Sequence, residues 1–509
     1  MKLIIILLSA TSAAAAPTTR VGATAPLMAL QSRKRAGLKV AAGAALGSVL
    51  QGFNTGVIAG ALLGISGEFG LAARPAVTGL IASSTTMGAV AGTACSGKLC
   101  DLAGRQRALV LSSVCFLLGG LLMTWSPGSG VLIGGRVVVG IAAGLVSSAV
   151  PTYIAECAEP AQRGALSTLP QLCVSTGILL SYLVGLGALL LGFDWRAMLG
   201  ASLLPALLQA SVVLTLPESP RWLLSTRRDA AAARAALARL RGTEEVDAEL
   251  AEMKAGLAKE AAAAAVPDAS TATDEAPEEE RASLLTLWRS PRSRRSLLLC
   301  SALQLGQQFC GVNAIVYFTP TILKLAGAHS MFTAFGVQPD VAAMLATVLA
   351  YLPKIPSVLL ASYLIDRKGR RWMLLGFIPP LAVCLAVLAV TVGGGGGGGV
   401  LTAAAATAAV TLFGIFFGMS LGPLPNILAA ELFPTNVRAA GVSATTTVQW
   451  LSNMLVAALF PVATAALGMR PILLGFAGVC VATWFIVLAF LPETKGVALE
   501  DIGASTKED

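Results

Sequence analysis

The chain has 509 residues, of which 55% are apolar and only 12% charged, and its mean hydropathy is +0.77. Soluble globular proteins are about 25% charged, so this composition excludes an ordinary soluble enzyme; the formal net charge of +9 reads as the basic loop bias of a membrane protein and not as a nucleic-acid surface, which would need its basic residues on a folded polar domain. A single histidine, His329, excludes a multi-histidine metal site and leaves no His-based catalytic set, while nine cysteines without ligand-like spacing read as small packing hydrophobes.

Residues 1–16, MKLIIILLSATSAAAA, have the pattern of a secretory signal and are too short for a span. Residues 17–39 add Arg20, Arg33, Lys34, Arg35 and Lys39 with no acid. A signal followed by a basic leader resembles the two-part plastid address of algae with secondary plastids; an ordinary signal and a basic juxtamembrane flank fit as well, and both readings stay open. Apolar runs of about 20 residues, the length that crosses a bilayer as a helix, then predict twelve spans: 40–63, 76–97, 107–125, 131–153, 165–190 and 195–216, followed by 296–323, 341–364, 372–392, 400–428, 440–466 and 470–491. Gly393 to Gly399 form a tight flexible link between the ninth and tenth. Between the sixth and seventh spans, residues 229–281 hold 13 of the 27 acidic residues; DAAAARAALARLRG predicts a surface helix and PDASTATDEAPEEE a disordered tether. The expected organisation is therefore a leader (1–39), a six-helix bundle (40–216), a linker (217–295), a second six-helix bundle (296–491) and a tail (492–509). Arginine and lysine are concentrated in alternate loops, which predicts both termini on the cytosol-equivalent side.

Three clusters recur in order. DLAGRQR at Asp101 returns as DRKGRR at Asp366, 265 residues on. AECAEPAQRG, with Glu156 and Arg163, returns as AELFPTNVRAAG, with Glu431 and Arg438, 275 on, and PESPR at Pro217 returns as PETKG at Pro492, again 275 on. One near-constant offset implies two parallel six-span halves related by an axis along the membrane normal. Acids and arginines at helix ends on one face are expected to pair, lock the halves together on the inner side and release them when the pairs break. The candidates are Gly97, Asp101, Gly104, Arg105, Arg107, Glu156, Arg163, Glu218 and Arg221, with Asp366, Arg370, Arg371, Glu431, Arg438 and Glu493 in the second half; loop solvation and topology are the alternative reading. The glycine of each GR pair permits a tight turn.

GKLCDLAGRQR, PESPRWLL, QQFCGVNAIVYF, DRKGRR and PETKG, in this order, resemble the sugar porter family of the major facilitator superfamily over about residues 40–500. The resemblance implies two six-helix bundles around a central sugar site and transport of hexoses, pentoses or polyols by alternating access. Sugar hydroxyls call for amides and aromatic faces in an apolar cavity. Span seven offers Gln307, Gln308 and Asn313, expected on one helical face, with Tyr317 one turn beyond; interhelix hydrogen bonding is the structural alternative. The resemblance assigns these amides to the sugar, adds Gln171 and Ile178 in span five and Gln449, Trp450 and Asn453 in span eleven, and leaves Phe53, Tyr317 and Phe318 as cavity walls. Asn426 in GPLPN stands where many members carry tryptophan, a departure shared with the plastid glucose transporters of the family. Lys354 stands about where many members hold asparagine; it would snorkel or pair with backbone carbonyls, or sit beside the sugar and favour a polyol or acidic sugar.

In QGFNTGVIAG, Asn54 occupies the position where proton-coupled members carry aspartate, near the arginine matched here by Arg136. An amide releases no proton in the physiological range, and no carboxylate lies near the centre of any expected span. The expectation is a facilitative hexose uniporter; a proton-linked sugar or polyol symporter and a non-transporting sugar sensor are the rivals, the latter disfavoured by a tail of about 18 residues after the last span. No nucleophile and base can be assembled, so no enzyme is expected, and no phosphate-cradling motif implies an ATP drive. No cofactor is expected; the expected partners are a small sugar and the bilayer, with the chain working as a monomer in a plastid envelope or plasma membrane.

Overall fold

The computed structural model describes residues 24–159, 166, 168–265, 287–288, 290–332, 336–393, 399–433 and 437–493. The proposed signal, the acidic stretch 267–280, Arg163, the middle of the glycine run and the side chain of Asp366 lie outside them. The described residues form helices and no strands. In chain order these are α1 (Thr24–Glu68), α2 (Pro75–Ala103), α3 (Arg105–Thr124), α4 (Ser129–Cys157), α5 (Leu169–Leu191), α6 (Trp195–Gly200), α7 (Leu203–Thr215), the surface helices α8 (Pro220–Ser225), α9 (Ala230–Arg241) and α10 (Asp247–Ala265), then α11 (Pro291–Phe309), α12 (Val312–Leu325), α13 (Pro339–Tyr351), α14 (Lys354–Lys368), α15 (Arg370–Gly393), α16 (Val400–Met419), α17 (Leu424–Leu432), α18 (Arg438–Leu467) and α19 (Met469–Phe490).

Ten helical segments among the described residues are long and apolar enough to cross a membrane. The other two segments of the expected twelve, α2 and α11–α12, are helical but more polar: one carries Ser83, Ser84, Thr85 and Thr86, the other Arg294, Arg295 and a run of amides. Four expected spans are not continuous. The sixth divides into α6 and α7, the seventh into α11 and α12 at Gly311, which has φ +82°, the eighth into α13 and α14 at Pro353, and the tenth into α16 and α17 at Gly422–Pro423. Proline removes a backbone donor and glycine accepts a left-handed turn that other residues resist. Helix α1 also starts earlier than expected, inside the stretch read as leader.

The first half is joined by glycines. Gly88 and Gly92 of α2 lie so close to α4 that a β-carbon would strike the Val137 and Ile141 carbonyls, and Gly140 and Gly144 of α4 do the same toward Thr85 and Ala89. Gly52 of α1 and Gly177 of α5 make a second backbone-to-backbone contact, against Val174 and Val49. Two small residues four apart on each of two facing helices permit this approach where no hydrophobic drive exists between helices in lipid. The halves meet through α1 against α12, α2 against α18, and α5 against α13 and α14; the Tyr182 hydroxyl donates to the Val316 carbonyl across that boundary at 2.8 Å. The expected surface helix is α9, capped by Asp229 and closed by Gly242 at φ +66°. Arg241, at its end, is buried, donates to the Cys157 carbonyl at the end of α4 (2.9 Å) and pairs with Glu249 of α10 (2.6 Å).

Candidate substrate site

Residues Gln307 and Gln308 end α11 and Asn313 begins α12, so the expected single helical face does not exist. The turn at Cys310–Gly311 instead folds Asn313 back: its Nδ2 donates to Gln308 Oε1 (2.6 Å), and Gln308 Nε2 donates to Gln307 Oε1 (2.9 Å). Gln307 Nε2 donates to the Leu421 and Gly422 carbonyls at 2.6 and 2.9 Å, which the break between α16 and α17 leaves without helical partners. Gln449 Nε2 of α18 donates to the same Gln307 oxygen at 2.9 Å. Two helix breaks and one through-going helix are thereby tied by a chain of amides whose members are mostly buried. Gln304, one turn before Gln307 and fully buried, donates to Asn426 Oδ1 at 2.8 Å. The sequence reading passed over Gln304; its signal was a third glutamine on the same face of a helix that lipid would otherwise strip of amides.

The remaining expected contacts are spread around this chain. Asn453 is buried with an unpartnered Oδ1, Trp450 is half-buried, Asn426 is exposed, and Gln171 is exposed at the start of α5, two turns from buried Ile178. Phe53 is buried in α1, and Phe318 packs at a tilt of 37° against Phe460 with ring centroids 5.1 Å apart. Tyr317 is buried in α12.

Asn54 and Arg136 do not pair. Arg136 is 1% exposed, and its Nε donates to the Ile81 carbonyl (2.7 Å) and Ser84 Oγ (3.2 Å), its terminal nitrogen to the Ala82 carbonyl (3.4 Å). Asn54, equally buried, donates to the Leu50 carbonyl of its own helix at 3.0 Å, and its Oδ1 has no partner. The physical reason is that the guanidinium finds carbonyls on α2 within reach, where an aspartate would have competed for it with a full charge.

Lys354 neither snorkels nor binds a carbonyl. It is 7% exposed, its Nζ lies 4.8 Å from the Tyr351 ring centroid and 5.6 Å from that of Phe417, and no hydrogen bond or ion pair holds it among the described residues. It lines a cavity with Tyr182, Thr319, Thr347, Tyr351, Phe413 and Phe417.

At the basic end of the helices the repeat is reproduced atom by atom. Arg105 pairs with Glu156 at 3.0 Å, donates to the Cys100 carbonyl at 2.9 Å, and offers its backbone N–H to Glu218 at 3.0 Å. Arg370 pairs with Glu431 at 2.9 Å, donates to the Ile365 carbonyl at 3.2 Å, and offers its backbone N–H to Glu493 at 3.0 Å. The turn glycines, Gly104 at φ +104° and Gly369 at φ +93°, leave the space that Glu218 and Glu493 occupy. These two pairs run inside each half: the recurring partners sit at neighbouring helix ends of one bundle, within side-chain reach. Asp101 joins Arg105 at 3.4 Å but is exposed, Arg371 donates to the Leu488 carbonyl (2.9 Å), Arg438 to that of Phe433 (3.3 Å), and Gly97, Arg107 and Arg221 are exposed. Burial pushes the Glu218 carboxyl above the ordinary glutamate range, against the backbone donors of Ser219, Gln106 and Arg105 that pull it down.

Residues 40–505 match the family described as sugar (and other) transporter. The chain is 32% identical over 468 residues to the glucose transporter GlcP of Staphylococcus epidermidis, covering 91% of this chain and 96% of that protein. It is 31% identical over 459 residues to plastidic glucose transporter 4 of Arabidopsis thaliana, covering 90% and 78% respectively. The inward-open conformation of the xylose transporter XylE from E. coli superimposes with a TM-score of 0.73 at 24% identity, over 92% of this chain and 99% of that one. With the family matched across nearly the whole chain and the major facilitator architecture in place, the protein is a multi-pass membrane transporter belonging to the sugar transporter family.

Proposed function

We propose that the chain carries a hexose by facilitative uniport, with Gln307, Gln308, Asn313 and Gln449 as the sugar-facing amides. The observation that carries this reading is the pairing state of the buried polar groups. Asn54 stands where a symporter needs a titratable acid, Arg136 is committed to backbone carbonyls, and no buried Asp or Glu is found among the described residues. A proton carried with the sugar needs a group that gains and loses it as access alternates; an amide does not. The relatives named as glucose transporters, one of them plastidic, support a hexose cargo and favour a plastid envelope over the plasma membrane. In this reading the Arg105–Glu156 and Arg370–Glu431 pairs brace each half on the inner side, where both termini lie, and their loosening accompanies opening.

The test is counterflow of labelled glucose into proteoliposomes holding the purified chain, with and without an imposed pH gradient. Exchange that ignores the gradient supports uniport. Uphill accumulation driven by protons overturns it.

A further inference from the structure

The chain has a buried cation that the hexose reading does not use. Lys354 begins α14 just past the Pro353 break, in a cavity closed on one side by Tyr182 of the first half and on the other by Phe413 and Phe417 of α16. Gly414 and Gly418 of α16 face its stem at ordinary van der Waals distance. Val312, the residue before Asn313, also lines the cavity, so the cavity adjoins the amide chain.

The donors and acceptors lining this cavity are out of balance. The Thr319 and Thr347 hydroxyls donate to the Ile315 and Ala343 carbonyls of their own helices, and the Tyr182 hydroxyl is committed to Val316. What stays uncommitted among the described residues is the Lys354 ammonium, with three N–H donors, and the buried Tyr351 hydroxyl. No carboxylate among the described residues is paired with the lysine. Two aromatic faces offset part of the cost of burying the charge, but an unpaired buried cation still favours an anion over water or a neutral hydroxyl. The group that matches uncommitted donors without adding donors of its own is a carboxylate.

We propose that the Lys354 cavity is a carboxylate subsite and that the carrier accepts sugar acids, meaning hexuronates or aldonates, beside neutral hexose. This rests on the sugar-carrier reading above: the amide chain holds the hydroxyls while Lys354 and Tyr351 hold the carboxylate.

Liposomes carrying the full-length chain are loaded with unlabelled D-glucose, or in parallel with unlabelled D-glucuronate, and labelled glucose or glucuronate is supplied outside, with and without a potassium–valinomycin potential. Glucuronate is expected to enter by counterflow and to compete with glucose; in glucose-loaded liposomes its uptake is expected to respond to the potential because one net negative charge crosses, whereas glucose–glucose and glucuronate–glucuronate exchange carry no net charge and are expected not to respond. In Lys354→Gln the ratio of glucuronate to glucose uptake is expected to fall by about tenfold or more, and in Tyr351→Phe by about threefold. The proposal is overturned if glucose exchanges while glucuronate neither enters nor competes, or if the ratio is unchanged in Lys354→Gln. Glucuronate–glucuronate exchange without any glucose flux would overturn the hexose reading and leave the carboxylate subsite supported; no flux of either solute would overturn both. The wild-type arms need no substitution, so a Lys354→Gln chain that fails to fold does not shield the proposal.

Discussion

The two halves share one repeat and one set of arginine–glutamate ties, yet they are assembled differently. In the first, uninterrupted helices α1, α2, α4 and α5 touch backbone to backbone through Gly52, Gly88, Gly140 and Gly177. In the second, three helical segments are broken, at Gly311, Pro353 and Gly422, and the carbonyls released by one of those breaks are taken up by Gln307. Close glycine contact gives rigid helix pairs with no room to adapt. A broken helix exposes polar backbone that must be satisfied by side chains or by cargo. The difference teaches that duplication supplied one frame twice, with the first copy packed through glycines and the second carrying a chain of amides at its helix breaks.

The sharpest way to break this comparison is steric. Gly140→Leu drives a side chain into the Thr85 carbonyl and is expected to destabilise the protein by about 3 kcal/mol or more, seen as loss of the monodisperse peak and a lower Tm in detergent. Gly376→Leu in the second half, where nothing lies within 4 Å of a β-carbon, is expected to leave both unchanged. Equal damage from the two would remove the contrast in glycine packing.

Next in size is the amide chain. Gln307→Ala strips partners from Gln308, Gln449 and two backbone carbonyls and is expected to lower glucose counterflow by about tenfold or more, with unsatisfied groups costing about 1–3 kcal/mol. Asn54→Ala removes one bond within its own helix, and its effect is expected to stay within about fivefold. A larger loss at Asn54 than at Gln307 would move the centre of recognition into the first half.

A smaller effect is expected of Asn54→Asp. Because Arg136 is held by Ile81, Ala82 and Ser84, the new carboxylate has no prepared partner, and sugar is expected to equilibrate without accumulating under a pH gradient in the counterflow assay. The smallest effect belongs to the ties. Double-mutant cycles on Arg105 with Glu156 and on Arg370 with Glu431, read by thermal unfolding, are each expected to give coupling of about 1 kcal/mol. Strongly unequal values would show that the repeat is no longer symmetric in energy.

Particular residues show why the sequence was legible where it was. The class followed from apolar run length, since the bilayer sets the length of a spanning helix whatever its neighbours are. The duplication and the turn glycines Gly104 and Gly369 were visible because charges and glycines at helix ends keep a fixed spacing along the chain. Gln304 escaped notice, and Gln307, Gln308 and Asn313 were placed on one face, because periodicity assumes an unbroken helix and the turn at Gly311 resets it.

By itself, then, the sequence determined that this is a duplicated helical membrane carrier without a titratable acid at the Asn54 position, because composition, run length and residue identity do not depend on packing. Only the tertiary structure decided where helices break, that Arg136 turns to carbonyls of α2 instead of to Asn54, that Arg105 pairs with Glu156 and Arg370 with Glu431 inside each half, and that Lys354 has no hydrogen-bond or ion-pair partner among the described residues. Those outcomes depend on which groups come within about 3 Å of one another, and a one-dimensional pattern does not contain that distance.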